Sequence, residues 1–111
     1  MKKIGIYGGS FNPVHNEHIN ISKAFIKELD LDVLYIIPTN IAPHKQGEEV
    51  CDAKDRLNML SLAFKGVNKV QISSYELDKG GVSYTYLTIE HFKNLHQNAQ
   101  IYFLVGSDML D

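Results

Sequence analysis

Strand-like apolar runs alternate with stretches of helical periodicity along the 111 residues, and the alternation predicts an α/β domain. Glycines stand where the runs end, at Gly8-Gly9 and Gly106, as turns beyond buried strands require. The size agrees as well. At 44% hydrophobic and 22% charged residues, the chain can build one core and is too short for two.

Taken in order, residues 2–7 carry Ile4, Ile6 and Tyr7 and read as a short buried strand that meets a turn at Gly8-Gly9. Between Glu17 and Leu29, the residues Ile19, Ile21, Phe25, Ile26 and Leu29 recur at helical spacing, with Lys23, Lys27 and Glu28 on the polar side. Leu31 to Ile37 is a second strand, halted by Pro38, which has no amide hydrogen to donate. Residues 39–51 are polar and contain Gly and Pro, so they read as a loop, and loops of that length are commonly functional. Asp52 caps a helix to Lys65 with Leu57, Leu60 and Phe64 along one face. Val67 to Ser73 is the third strand candidate.

Ser83 or Thr85 can cap a third helix through Leu95, whose inner face holds Tyr86 or Leu87 with Ile89, Phe92 and Leu95. Gln100 to Val105 is the last strand, with a continuous apolar run Ile101 to Val105 as a central strand covered on both faces would have. The order β-α-β-α-β-α-β implies a parallel sheet joined by right-handed crossovers. The expected architecture is a single Rossmann-like α/β domain over residues 1–111, with helices on both faces of the sheet. Phe11, Phe64 and Phe92 are expected to pack in its core.

Charge and composition exclude several functions. A net charge of −2 leaves no basic footprint for nonspecific nucleic-acid binding. No apolar run reaches the roughly 18 residues of a membrane span. The start, Met1 to Tyr7, lacks the apolar region and cleavage site of a signal peptide. Cys51 is the one cysteine and cannot form an internal disulfide, which fits a cytoplasmic protein.

The chemistry concentrates after the first strand, where the chain reads Gly8-Gly9-Ser10-Phe11-Asn12-Pro13-Val14-His15-Asn16-Glu17-His18. Ligands of open parallel sheets sit beyond the carboxyl ends of the strands. Two glycines allow close approach of a ligand to backbone, and the amides and dipole of the following helix start favour an anion such as phosphate. Neither the Walker pattern nor the dinucleotide fingerprint is present. His15 and His18, three residues apart at the helix start, can place both rings on one face and donate to phosphate oxygens. The helix dipole disfavours their protonation and a bound polyphosphate favours it, so charge should build up on the rings when ligand is present. As a metal half-site the pair lacks a completing Cys or carboxylate cluster, so no metal site is expected.

The same string resembles the (H/T)-x-G-H signature of the nucleotidyltransferase superfamily, commonly Gly-(Gly/Thr)-x-Phe-Asp-Pro-x-His-x-Gly-His. Pro43-His44-Lys45, Arg56-Leu57-x-Met59, Ser83-Tyr84-Thr85 and Gly106-Ser107-Asp108 are similar in order and separation to bacterial nicotinate mononucleotide adenylyltransferases. The resemblance implies transfer of AMP from ATP, with Mg²⁺, to nicotinate mononucleotide, giving a dinucleotide and pyrophosphate in NAD synthesis. It assigns His15 and His18 as catalytic and places Gly8, Gly9, Ser10, Phe11, Gly106 and Asp108 with them around ATP. Lys45, Tyr84 and Thr85 are implied at the mononucleotide, where Tyr84 could stack on the pyridine ring. Arg56 reads as a surface or helix-pairing arginine, and His91 and His96 as solvated.

Two residues depart from the family's string: Glu17 stands at its glycine and Asn12 at its aspartate. Glu17 must turn away from ATP phosphates to be tolerated. Family members also continue beyond Asp111, with a Trp and a Ser-x-x-x-Arg segment absent here, so the 111 residues read as an N-terminal portion. Two alternatives therefore stand beside the enzyme: a non-catalytic nucleotide-binding fragment, or an adenylyltransferase for another acceptor. Ending on a central-looking strand would also leave an edge able to pair with a second copy.

Overall fold

Strand β1 (Lys3–Gly9) is hydrogen-bonded along both of its sides in the computed structural model, which describes residues 1–9, 11, 14–39, 53–79 and 85–105. On one side runs β2 (Val33–Pro38), with Ile4 opposite Val33 and Gly9 opposite Pro38. On the other runs β4 (Gln100–Val105), with Lys3 opposite Gln100 and Gly8 opposite Val105. The short β3 (Val70–Ile72) extends the sheet beyond β2. All pairings are parallel and the strand order is β3-β2-β1-β4. The expected parallel α/β architecture is therefore the one formed.

The alternation of side chains along each strand splits the core in two. Tyr7, Leu34 and Ile36 face one side with Leu31, Phe11, Leu60 and Phe64, under helices α1 (Asn16–Leu29) and α2 (Ala53–Ala63). Ile6 and Ile37 face the other with Tyr35, Ile101 and Phe103, under Phe92 of helix α4 (Thr85–Leu95). Successive residues of one strand thus feed opposite layers, as a sheet covered on both faces demands. Gly5 is needed for close packing: a Cβ there would lie 2.6 Å from Leu31 Cδ1 and 2.8 Å from Leu34 Cδ1, and both leucines are fully buried.

The amino end of β1 is pinned from the turn after α1. Asp30 adopts the left-handed conformation that ends the helix. Asp32 then exchanges two bonds with Lys3: its carboxylate accepts from the Lys3 amide at 2.7 Å, and its own amide donates to the Lys3 carbonyl at 2.7 Å.

Four features differ from the sequence expectation. β4 lies at the sheet's edge among the described residues and β1 is central; the apolar run Ile101 to Leu104 is only half-buried. A five-residue helix, α3 (Tyr75–Lys79), follows β3 where none is expected. Its Glu76 is 4% exposed and accepts a hydrogen bond from the Thr88 hydroxyl of α4, so the buried face of α4 runs through Thr88 and Phe92 while Leu95 is 59% exposed. His91 and His96 are half-buried and each meets an aromatic side chain. His91 stacks on Tyr75 at 4.0 Å, and His96 Nε2 shares a 2.7 Å hydrogen bond with the Tyr35 hydroxyl, whose pKa burial raises above its ordinary value.

Two stability predictions follow from these contacts. Gly5→Ala should cost about 1–3 kcal/mol, because two buried leucines must leave their rotamers to admit one methyl. An unchanged urea midpoint would show that the leucine layer yields freely. Thr88→Val keeps the shape of the side chain but removes the donor to a buried carboxylate, and should cost about 1–3 kcal/mol in the same titration. A neutral result would mean that the Glu76 carboxylate is satisfied without Thr88.

Candidate functional site

In a parallel sheet every strand delivers its carboxyl end to the same edge, and here that edge holds Gly9, Pro38, Ile72 and Val105. The chain leaves β1 toward β2 and β3 on one side, then returns to place β4 on the other. Strand order therefore reverses between β1 and β4. Open α/β sheets bind ligands in the crevice above such a reversal, because the outgoing segments diverge there to opposite faces. Gly8 and Gly9 are the last two residues of β1, buried and paired. A Cβ on Gly8 would make only ordinary contact, 3.7 Å from Phe103, so the protein's own packing does not demand glycine there.

Phe11 follows with φ +47°, a left-handed conformation costly for a bulky residue. Its ring is 1% exposed and meets Tyr7 and His18 edge-on, at 5.4 and 4.9 Å between centroids. Burial of the ring offsets the backbone strain. The aromatic face is thereby committed to the core, as expected for packing, and is not presented to a nucleotide; the backbone of Phe11 is what remains for one.

Helix α1 begins with His15 as its N-cap, in extended conformation. The His15 amide donates to His18 Nδ1 at 3.0 Å, so the third helical residue reaches back to the cap as Glu or Gln does in a capping box. A nitrogen that accepts an amide proton carries none, which puts the proton of the neutral His18 ring on Nε2. His15 lies exposed and stacks on the buried His18, ring centroids 4.0 Å apart and 28° from parallel. Below the pair, Ser22 is buried and donates to the His18 carbonyl at 2.7 Å. The shared face expected from the three-residue spacing is present, and the tautomer-fixing cap is an addition the spacing did not reveal. Helix geometry leaves the first-turn amides, those of Asn16 and Glu17 included, without partners inside the helix.

Glu17 is the second helical residue and is exposed. A carboxylate in the first turn interacts favourably with the positive end of the helix.

The carboxyl end of β2 closes on the same turn. Pro38 offers no amide, and the next residue, Thr39, donates to the Gly9 carbonyl through its amide at 2.9 Å and its hydroxyl at 3.3 Å. The Thr39 carbonyl accepts 2.6 Å from Arg56 Nη1 of α2, and Arg56 is 3% exposed. Arg56 is thus not a surface residue. It is fastened to the strand end beside the site.

Of the other expected site residues, Thr85 opens α4, although its side chain lies outside the described residues. Ser10, Lys45, Tyr84, Gly106 and Asp108 also lie outside them, as do Asn12 and Cys51. Among the described residues no group of three His, Cys, Asp or Glu could hold a metal ion. The His15–His18 pair offers ring nitrogens, one of them taken by an amide, whereas Mg²⁺ requires oxygen ligands.

Comparison with known proteins agrees with this geometry: the model of the cytidylyltransferase-like family matches residues 6–111. The chain belongs to the cytidylyltransferase-like family. Within it, the chain is 44% identical over 110 residues to a probable nicotinate-nucleotide adenylyltransferase of Clostridium tetani, covering 99% of this chain and 55% of that protein. It is 40% identical over 111 residues to one of Geobacillus kaustophilus, covering 100% of this chain and 51% of that protein. The chain spans about half the length of these relatives. A solved structure of Plasmodium falciparum nicotinic acid mononucleotide adenylyltransferase complexed with NaAD shares the fold, with a TM-score of 0.77 at 21% identity over 93% of this chain and 51% of that one. No helix among the described residues is long and apolar enough to cross a membrane.

Glu17→Gly, which restores the usual residue of the signature, should lower stability by about 1–2 kcal/mol. It places glycine in a helix and removes a charge that favours the helix start. Thermal unfolding measures this, and an unchanged midpoint would show that Glu17 makes no favourable interaction with the first turn.

Proposed function

We propose that the protein is a nicotinate mononucleotide adenylyltransferase, or the nucleotide-binding part of one. The observation that carries the reading is the stacked His15–His18 pair at the start of α1, above the reversal of strand order between β1 and β4. The names of the similar proteins add the acceptor: nicotinate-nucleotide adenylyltransferases among relatives, and a NaAD complex among structures of the same fold.

In the proposed reaction, an oxygen of the mononucleotide phosphate attacks the α-phosphorus of ATP, the α–β bridging bond breaks, and pyrophosphate leaves. Both substrates are anions, so the protein's work is positioning and charge neutralisation, with no covalent intermediate. The first-turn amides and the positive end of α1 attract the polyphosphate. His18, oriented by the His15 amide, donates from Nε2; His15, exposed above it, adds a second donor whose protonation the bound polyphosphate favours. Gly8 and Gly9 let the triphosphate approach backbone. Mg²⁺ arrives as part of the substrate, on triphosphate oxygens. Thr85 at the start of α4, with Tyr84 and Lys45, is assigned to the mononucleotide, while Ser10, the Phe11 backbone, Gly106 and Asp108 complete the ATP side. The single Cys51 fits a cytoplasmic location.

The test is pyrophosphate release with ATP and nicotinate mononucleotide. His15→Ala is the informative variant because its ring is exposed. Turnover should fall by about tenfold or more, since one donor to transition-state charge is lost. Unchanged turnover in His15→Ala would sink the assignment, and binding of ATP without turnover by the unaltered chain would select the nucleotide-binding part over the enzyme. Product formed faster from another phosphorylated acceptor would replace the acceptor named here.

A further inference from the structure

We propose that Arg56 is a positioning residue for the ATP phosphates, acting through the carboxyl end of β2 on the last residue of β1. The inference rests on the function proposed above and names a residue that makes no contact with the reacting atoms.

The path is short and each link is a hydrogen bond. Gly9 ends β1, and its carbonyl accepts from both the amide and the hydroxyl of Thr39, at 2.9 and 3.3 Å. Pro38 stands opposite Gly9 and has no amide to give, so the bond that closes this end of the ladder falls to Thr39, one residue beyond the strand. A residue in that place lies beyond the strand ladder, so what holds its other side helps to set its position. Arg56 holds it, through a 2.6 Å bond from Nη1 to the Thr39 carbonyl.

Burial makes this bond consequential. A guanidinium that is 3% exposed has little solvent to turn to in place of a lost acceptor, and bonds from charged donors are the stronger kind. Arg56 also lies on α2, which shares a core layer with α1 through Leu60 and Phe64. The side chain therefore references the strand end to the layer that carries the histidine pair. If Thr39 moves, the Gly9 carbonyl loses both of its Thr39 donors, and the turn that approaches the phosphates shifts relative to His15 and His18. Among the residues assigned to the mononucleotide, Thr85 opens α4, which is braced separately by Thr88 on Glu76. Arg56 should thus serve ATP far more than the mononucleotide.

The test is separate equilibrium titration of ATP and of nicotinate mononucleotide onto the unaltered protein, Arg56→Met, Arg56→Lys and His15→Ala. Arg56→Met keeps the bulk without the donors and should weaken ATP binding by about tenfold or more, the usual weight of a charge-assisted hydrogen bond. Mononucleotide binding should stay within about twofold, as expected for an independent subsite. Arg56→Lys, which keeps the charge and one donor direction, should fall between the unaltered protein and Arg56→Met for ATP alone. Equal weakening of both ligands would make Arg56 a general fold residue and overturn the proposal, as would ATP affinity unchanged in both variants. If Arg56→Met does not fold, Arg56→Lys decides alone by the same selectivity. Loss of ATP binding in His15→Ala but not in the Arg56 variants removes this proposal and leaves the proposed function standing. Failure of the unaltered protein to bind ATP removes the proposed function, and this inference with it.

Discussion

Everything at the candidate site depends on the confinement of β1. It has a hydrogen-bonded partner on each side, β2 and β4, and its registers with them are fixed over nearly its whole length. A one-residue slip would exchange Ile6 with Tyr7 across the sheet and send each into the wrong layer, so the two-sided core enforces the register. At the amino end the two hydrogen bonds between Lys3 and Asp32 prevent sliding; at the carboxyl end Thr39 does the same for Gly9. A strand so held delivers the glycines, and hence the start of α1, to a defined height above the sheet.

Much of this was legible in the sequence because it is local. Hydrophobic periodicity locates α1 and α2, and the apolar runs locate β1, β2 and β4, since each signal repeats several times within its own element. The His15–His18 face follows from helix geometry alone. What escaped depends on partners distant in sequence. A five-residue helix such as α3 has too few turns to show a period and forms because its Glu76 meets Thr88 twelve positions later. That same contact rotates α4 so that a threonine is buried and Leu95 is left exposed, the reverse of what hydrophobicity ranks. Arg56 escaped for a related reason. Arginine is rarely buried, and its acceptor is a backbone carbonyl past a proline, which no residue type announces.

The departure at Glu17 is explained by where the helix starts. As the second helical residue its carboxylate is exposed and sits at the positive end of α1, where it is stabilised as an ordinary first-turn acid. Its proximity to the proposed anion site follows from the backbone and not from its side chain, so a charge in the motif is compatible with the proposed phosphate binding provided the side chain stays in solvent. The net charge of the chain, −2, likewise gives no general attraction for a polyanion. Recognition must then come from local donors rather than from a field.

Those local donors are built so that folding prepares them. The His18 ring closes the start of α1 by accepting the His15 amide, and Phe11 and Tyr7 pack around it. Its orientation and tautomer are therefore set by the same contacts that begin the helix, before any ligand arrives. Donors fixed in this way lose little entropy on meeting a phosphate and need no reorganisation as charge develops. The cost appears at Phe11, whose left-handed backbone is tolerated because the ring is needed beneath the histidine. His15 is held less tightly; its ring rests on His18 and faces solvent. The pair thus divides into a rigid member that belongs to the fold and an exposed member that a bound anion can recruit, and the chemistry proposed for the site needs both.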